Sequence, residues 1–241
     1  MAFWAPPSVP LNQVIRRGKR VRRLAFWLGI PLVPGALTAC LLAATVFPVG
    51  AAEVATVEGS AFGLQATGLV SIAATPSVSM AANGPPASSS ETLVSLGIGT
   101  VGAMSVSTGG VGVPGFAGYV TSSSSLQTVS LTLGVTTVSV VGTSSTCTAN
   151  GSGVTASASI NQLKINGLAV SIPSPLPANF GVNIPLVATL LLNAQTTSTS
   201  GGKNIVTVDS ITLSLVGGLQ SLTLGQSLCE ADTTPGVGTF Y

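Results

Sequence analysis

The chain has 241 residues, of which only 6% are charged and none is histidine, with a formal net charge of +2. The missing histidine removes the commonest general base and metal ligand at a stroke. Six of the eight basic residues (Arg16, Arg17, Lys19, Arg20, Arg22 and Arg23) fall in one short run, and beyond it two lysines face six acids, a net −4; that balance excludes nucleic acid as a partner, because phosphate binding needs clustered Lys and Arg.

The basic run opens the first element. Residues 1–23 read as a cationic n-region and 24–52 as an uncharged apolar run, closing on the small residues Val49-Gly50-Ala51-Ala52. This is the pattern of a secretory signal peptide, a hydrophobic helix cleaved near Ala51 or Ala52. Two alternatives stay open. Leu37-Thr38-Ala39-Cys40 fits the bacterial lipobox, in which Cys40 becomes an acylated N-terminus, although the apolar run continues past it. Residues 24–52 are also long enough to span a bilayer uncleaved, with the arginines on the cytoplasmic side. Pro31, Pro34 and Pro48 weaken such a helix. Membrane contact is therefore expected only through the leader or a lipid on Cys40.

The rest of the chain is read as an exported domain, 53–232, and a short tail, 233–241. Roughly 190 residues are enough for one good core or two small ones. Residues 54–62 and 64–72 read as two strands punctuated by glycines. Pro76, Asn83-Gly84-Pro85-Pro86 and Ser88-Ser89-Ser90 make 75–90 a loop. From Thr92 the pattern alternates, with Val94, Leu96 and Ile98 on one face, as a half-buried strand does. Gly97-Ile98-Gly99-Thr100-Val101-Gly102 matches the dinucleotide fingerprint only formally. That motif needs a helix after the turn to meet pyrophosphate, and β-branched residues follow here, so no cofactor is expected.

Residues 109–118 form a glycine-rich connection. Residues 126–141 give one long strand or a tight pair, with a bulge or turn at Thr136-Thr137, where the apolar phase shifts. Leu163-Lys164-Ile165-Asn166-Gly167-Leu168-Ala169-Val170 is the clearest local signal: Asn-Gly tolerates positive φ at both central positions and predicts a type I′ hairpin. Leu163, Ile165, Leu168, Val170 and Ile172 supply its apolar faces, and Pro173 to Pro177 end the unit. Strands are expected at 186–193 and 205–216 around a polar turn at 196–202. The second changes phase at Asp209-Ser210. A final strand, 219–228, runs into Cys229.

No convincing amphipathic helix occurs after the leader. Many short strands with Gly, Asn and Pro turns predict an all-β fold, a β-sandwich or barrel-like pair of antiparallel sheets. With Cys40 in the leader, Cys147 and Cys229 remain as an even pair, read as a disulfide formed in an oxidising compartment. Closing a loop of about 80 residues contributes ~4.5 kcal/mol in the chain-entropy model before native strain is subtracted.

The order of features resembles a known family. Ala61-Phe62-Gly63, then Thr67-Gly68-Leu69-Val70 and Pro76, Cys147, the Leu163–Gly167 turn, Leu192-Asn193-Ala194-Gln195, and Leu224-Gly225-Gln226-Ser227-Leu228-Cys229 together look like the choice-of-anchor P proteins, exported mainly by actinobacteria. The similarity spans most of the domain with short motifs. It implies an exported protein held by a surface anchor, and no biochemical activity is assigned to the family. The chain departs from that pattern at Asp209-Ser210-Ile211, where a histidine is expected, and residues 233–241 carry no second hydrophobic span or sorting motif.

The residues for catalysis are sparse. No Gly-x-Ser-x-Gly elbow occurs. A serine–lysine dyad has only Lys164 and Lys203 to draw on, both read as solvent-facing turn lysines. Glu230 and Asp232 are the closest carboxylate pair, at a strand end, where a weak Ca²⁺ site competes with simple solvation. The only tyrosines are Tyr119 and Tyr241 and both tryptophans lie in the leader, which argues against a sugar-stacking cleft. The chain is thus read as a secreted or cell-surface module, structural or interacting and not enzymatic, with an extracellular or envelope partner. The alternatives are a secreted hydrolase of unusual type and a lipoprotein anchored at Cys40.

Overall fold

The computed structural model describes residues 54–113 and 117–233. The leader, with Cys40, Ala51 and Ala52, lies outside them, as does the tail beyond Thr233. Among the described residues there are twelve strands and no α-helix: β1 Thr56–Gly68, β2 Ile72–Met80, β3 Ala87–Leu96, β4 Gly99–Val111, β5 Tyr119–Leu133, β6 Thr136–Asn150, β7 Gly153–Ile165, β8 Leu168–Ala169, β9 Phe180–Ile184, β10 Ala188–Ser200, β11 Lys203–Leu215 and β12 Gln220–Asp232.

They form two six-stranded antiparallel sheets packed as a sandwich. Sheet I runs β2-β1-β12-β11-β10-β9, and sheet II is the plain meander β3-β4-β5-β6-β7-β8. Among the described residues the chain changes sheet twice, at 81–86 and at 170–179. Pairing of β1 with β12 brings the two ends of the domain side by side, Thr56 opposite Asp232.

Several boundaries differ from expectation for physical reasons. The two strands expected in 54–72 are one, β1, because Gly63 sits inside the ladder opposite Pro76 and does not end it. The 75–90 loop is largely strand: Pro76 lies in β2, an edge of sheet I, where a missing N–H costs no ladder bond. Gly97 and Ile98 form the β3–β4 turn, so the glycine fingerprint spans a hairpin and a strand, with no helix after it. The β5–β6 turn falls at Gly134-Val135, two residues before the threonine pair, and leaves Val135 97% exposed. Leu186 belongs to the β9–β10 turn, with φ 63°. The expected turn at 196–202 narrows to Gly201-Gly202, since Thr196 to Ser200 pair with β11.

The Asn-Gly hairpin is as read: Asn166 and Gly167 have φ of 51° and 78° and join β7 to β8. Leu163 is buried below it, whereas Leu168, expected on the apolar face, is exposed.

The phase change at Asp209-Ser210 is one crossing of a line that traverses both sheets. In β11, Val206, Val208 and Ser210 are buried, and then Ile211 and Leu213. In β5 the inward set passes from Ser122, Ser124 and Leu126 to Val129 and Leu131; in β6, from Val138 and Val140 to Thr143, Ser145 and Cys147. Each strand inserts one extra residue at the same level, so the register survives: Phe62, Gln226, Asp209 and Ala194 stay aligned above the line, and Leu64, Leu224, Ile211 and Leu192 below it. An extra residue needs a kinked backbone. Gly225 (φ 62°), Gly142 (φ 59°) and Asn193 (φ 51°) supply left-handed conformations on that line. Three motifs of the family resemblance, those containing Gly63, Asn193 and Gly225, fall on it.

The line also divides the interior. On one side lies the larger apolar cluster, built on Leu64, Met104, Leu131, Leu163, Leu190, Ile211 and Leu222. On the other lies a smaller one around Val54, Val57, Val206, Val208, Cys147 and Cys229.

Candidate functional site

On the side of the smaller cluster the inward residues beside the line include the small or hydroxylated Ala61, Ser124, Thr143, Ser145 and Ser227, and there the sheets come close. Cys147 on β6 and Cys229 on β12 form a disulfide between the sheets with their Cα atoms 6.0 Å apart, well inside the ~10 Å at which stacked sheets ordinarily pack. A Cβ at Gly59 would lie 2.7 Å from Ser122 Oγ, so only glycine fits. The gap is narrow enough for direct polar contact: Ser145 Oγ meets Ser227 Oγ at 2.8 Å, and Ser122 Oγ donates to the Leu228 carbonyl at 2.8 Å. Ser124 Oγ and Thr143 Oγ1 are buried in the same layer without a hydrogen-bond partner.

The opposite faces of the same strands make a hydroxyl surface on sheet II. Ser90, Ser105, Ser125, Ser144 and Ser159 align in one lateral row, and Ser88, Ser107, Ser123, Thr146 and Ser157 in the next. Neighbours bond across the strands: Ser105 with Ser125 at 2.8 Å, Ser107 with Ser123 at 2.9 Å, and Ser144 with Ser159 at 2.8 Å. A shallow concavity of about 430 Å³ lies over these rows, lined by Ser and Thr with Val106 as the one apolar side chain.

Charged side chains gather elsewhere, on the outer face of sheet I. Glu230 faces Glu58 on β1, and Asp232 pairs in register with Lys203. The Lys203 ammonium bonds Glu230, which raises its pKa above the ordinary lysine value. Lys203 comes directly after the Gly201-Gly202 turn as expected, but its partner was not foreseen. Among the described residues no group of three or more His, Cys, Asp or Glu is placed to hold a metal ion. Asp209, on the same face, is raised by desolvation, opposed by hydrogen bonds from Gln226 (2.8 Å) and Thr212. Lys164 lies on β7 opposite Ser139.

A concavity of about 680 Å³ runs between β7 at 157–162 and residues 169–176, from the end of β8 onward. Its corner is fastened by a set of amides that sequence reasoning passed over as chemistry. Asn193 Nδ2 donates to the Leu176 carbonyl at 3.0 Å, Gln195 Nε2 donates to Asn193 Oδ1 at 2.8 Å and to the Ala156 carbonyl at 3.1 Å, and Asn179 Oδ1 accepts from the Gln195 N–H. The available signal was the motif Leu192-Asn193-Ala194-Gln195 itself, whose two amides clamp the crossover to both sheets. No described family, characterised protein or solved structure matches the chain.

Proposed function

We propose that the protein is an exported β-sandwich that works outside the cytoplasm as a structural and interaction module, without catalysis. The observation that carries this reading is the disulfide Cys147–Cys229, buried between the sheets. Such bridges form and persist in oxidising compartments. The leader is the matching sequence feature, with cleavage at Ala51 or Ala52 and lipidation of Cys40 as the competing fates. The resemblance to choice-of-anchor P proteins points the same way.

The serine-lined concavity on sheet II and the groove beside β7 support interaction over chemistry. Their linings are hydroxyls, amides, apolar side chains and backbone, with no titratable group among them. Surfaces of that kind recognise shape and hydrogen-bonding pattern, whereas proton transfer needs a group whose pKa lies near the working pH. On this reading the partner belongs to the envelope or the extracellular space.

Fractionation of producing cells tests the location: the protein is expected in the medium or in a protease-accessible envelope fraction, and recovery from the cytoplasm contradicts it. A screen of ester, peptide and glycoside substrates tests the chemistry. Activity that disappears on changing a single serine, Glu230 or Asp232 to alanine would establish the secreted hydrolase instead.

A further inference from the structure

Four strands lie at sheet edges, and three carry a device that discourages further pairing. β2 contains Pro76, β3 contains Glu91, and β9 is five residues long. Natural sheets use such devices to keep edges from recruiting another strand. The fourth edge differs. β8 pairs with Lys164 and Ile165 of β7, and the Val170 N–H adds one bond to the Leu163 carbonyl. The pairing goes no further because Pro173 and Pro175 come soon after and cannot donate to a ladder. Among the described residues no strand pairs with the outer side of 153–162 of β7, Gly-Val-Thr-Ala-Ser-Ala-Ser-Ile-Asn-Gln, and these residues hold no charge and no proline.

The direction of the free groups is set by the turn. Asn150 and Gly153 close the two-residue turn at Gly151-Ser152 as a hydrogen-bonded pair, so the main-chain groups of Thr155, Ser157 and Ser159 face β6. Those of Val154, Ala156, Ala158 and Ile160 face outward. Ala156 shows this directly, since its carbonyl accepts from Gln195. The groups of Ala158 and Ile160 therefore open into the 680 Å³ groove, a volume in the usual range for ligand sites. Its wall at 157–162 is about 20 Å long at ~3.4 Å per residue. Val170, Ile172 and Leu176 make the far side apolar and are packed on the core.

We propose that this groove takes an extended, uncharged peptide strand from a partner polypeptide, added to β7 by main-chain pairing at Ala158 and Ile160. Main-chain donors and acceptors along an open edge specify a strand, and alternate side chains settle between the hydroxyls of β7 and the apolar far wall. A charged side chain is disfavoured because nothing in the lining pairs with it. The segment 169–176 lines the groove opposite the edge, so the edge is walled and not open to a flat sheet, which favours a single peptide over the sheet of a second copy. The proposal rests on the reading of the protein as an interaction module, but binding is measured on purified protein and does not depend on where it resides.

The test uses the disulfide-bonded domain and an array of end-capped hexapeptides built from Gly, Ala, Ser, Thr and Val. Saturable binding is expected, concentrated in alternating Thr/Val sequences and lost when the bound peptide is N-methylated at alternate residues. Ala158→Pro removes an outward N–H without touching the β6 ladder and should weaken binding by about tenfold or more. Ser174→Trp fills the groove from a loop and should do the same in a variant with no strand altered. Unchanged circular dichroism and unfolding midpoint certify both folds. Absence of saturable binding across the array overturns the proposal, as does binding that survives both substitutions. A concentration-dependent dimer abolished by Ala158→Pro overturns it too, by assigning the edge to a second copy.

Discussion

Ser145 and Ser227 meet hydroxyl to hydroxyl at 2.8 Å from opposite sheets, and both are buried. Each satisfies the other in a gap too narrow for larger side chains. The Ser227 hydroxyl also reaches the Ser145 carbonyl at 3.3 Å, so it keeps a partner when the Ser145 oxygen is removed. Removing the Ser227 oxygen instead orphans Ser145 Oγ, which costs ~1–3 kcal/mol, whereas removing both leaves no orphan hydroxyl. Ser227→Ala should lower stability in urea more than Ser145→Ala, and the double variant should lose clearly less than the sum. Additive losses in the four-way cycle would show that the pair is not coupled.

The disulfide crosses the same gap with a sequence separation of 82 between its cysteines. A loop of that length gives a large entropic restraint on the unfolded chain. Cys147→Ala with Cys229→Ala should lower the unfolding free energy by ~2–5 kcal/mol. A loss below about 1 kcal/mol would mean that the core alone holds the sheets together.

Gly225 and Gly201 share a left-handed backbone, each with φ of 62°, but not the same surroundings. A Cβ at Gly201 meets nothing within 4 Å, while one at Gly225 would lie 2.5 Å from Ser210 Oγ and 3.0 Å from Leu126 Cδ1. Gly201→Ala should therefore cost only the backbone penalty, ~1–2 kcal/mol. Gly225→Ala should cost distinctly more, measured by thermal or denaturant unfolding. Equal losses would remove the close packing argued for the slip line.

Asp209 gives the domain a specific pH dependence. Desolvation raises its pKa in the folded state above the ordinary 3.8, outweighing the hydrogen bonds from Gln226 and Thr212. A raised folded pKa means that the folded protein holds the proton more tightly than the unfolded chain. Its contribution is fully present below the unfolded pKa and is lost as pH rises through the folded value. Asp209→Asn should flatten this part of the stability profile and be more stable than the parent at pH 7. A parent that gains stability over the same rise, with the gain abolished by Asp209→Asn, would reverse the assignment.

What the sequence made legible depended on contrast between the two faces of a strand. The Asn166-Gly167 hairpin was readable because its residues tolerate the φ values a type I′ turn needs. The slip at Asp209-Ser210 was readable because valine and isoleucine mark the inward positions on either side. β5 from Tyr119 to Ser125 and β6 from Gly142 to Asn150 gave no such contrast. Ser122, Ser124 and Ser145 point inward while Ser123, Ser125 and Ser144 point outward, so period two is present in the structure and invisible in the composition. Pro76 misled for a different reason, since edge position is a property of the whole sheet. The bridge between Cys147 and Cys229 was legible by elimination. The open edge of β7 was not, because it exists only where β8 stops.

The account stands most directly on the intact mass of the protein recovered from producing cells, measured with and without alkylation before reduction. It predicts a chain starting near residue 53, two hydrogens lighter than its reduced form and unreactive to the alkylating reagent until reduced. A cytoplasmic chain that still begins at Met1, with Cys147 and Cys229 both alkylated without reduction, would contradict it.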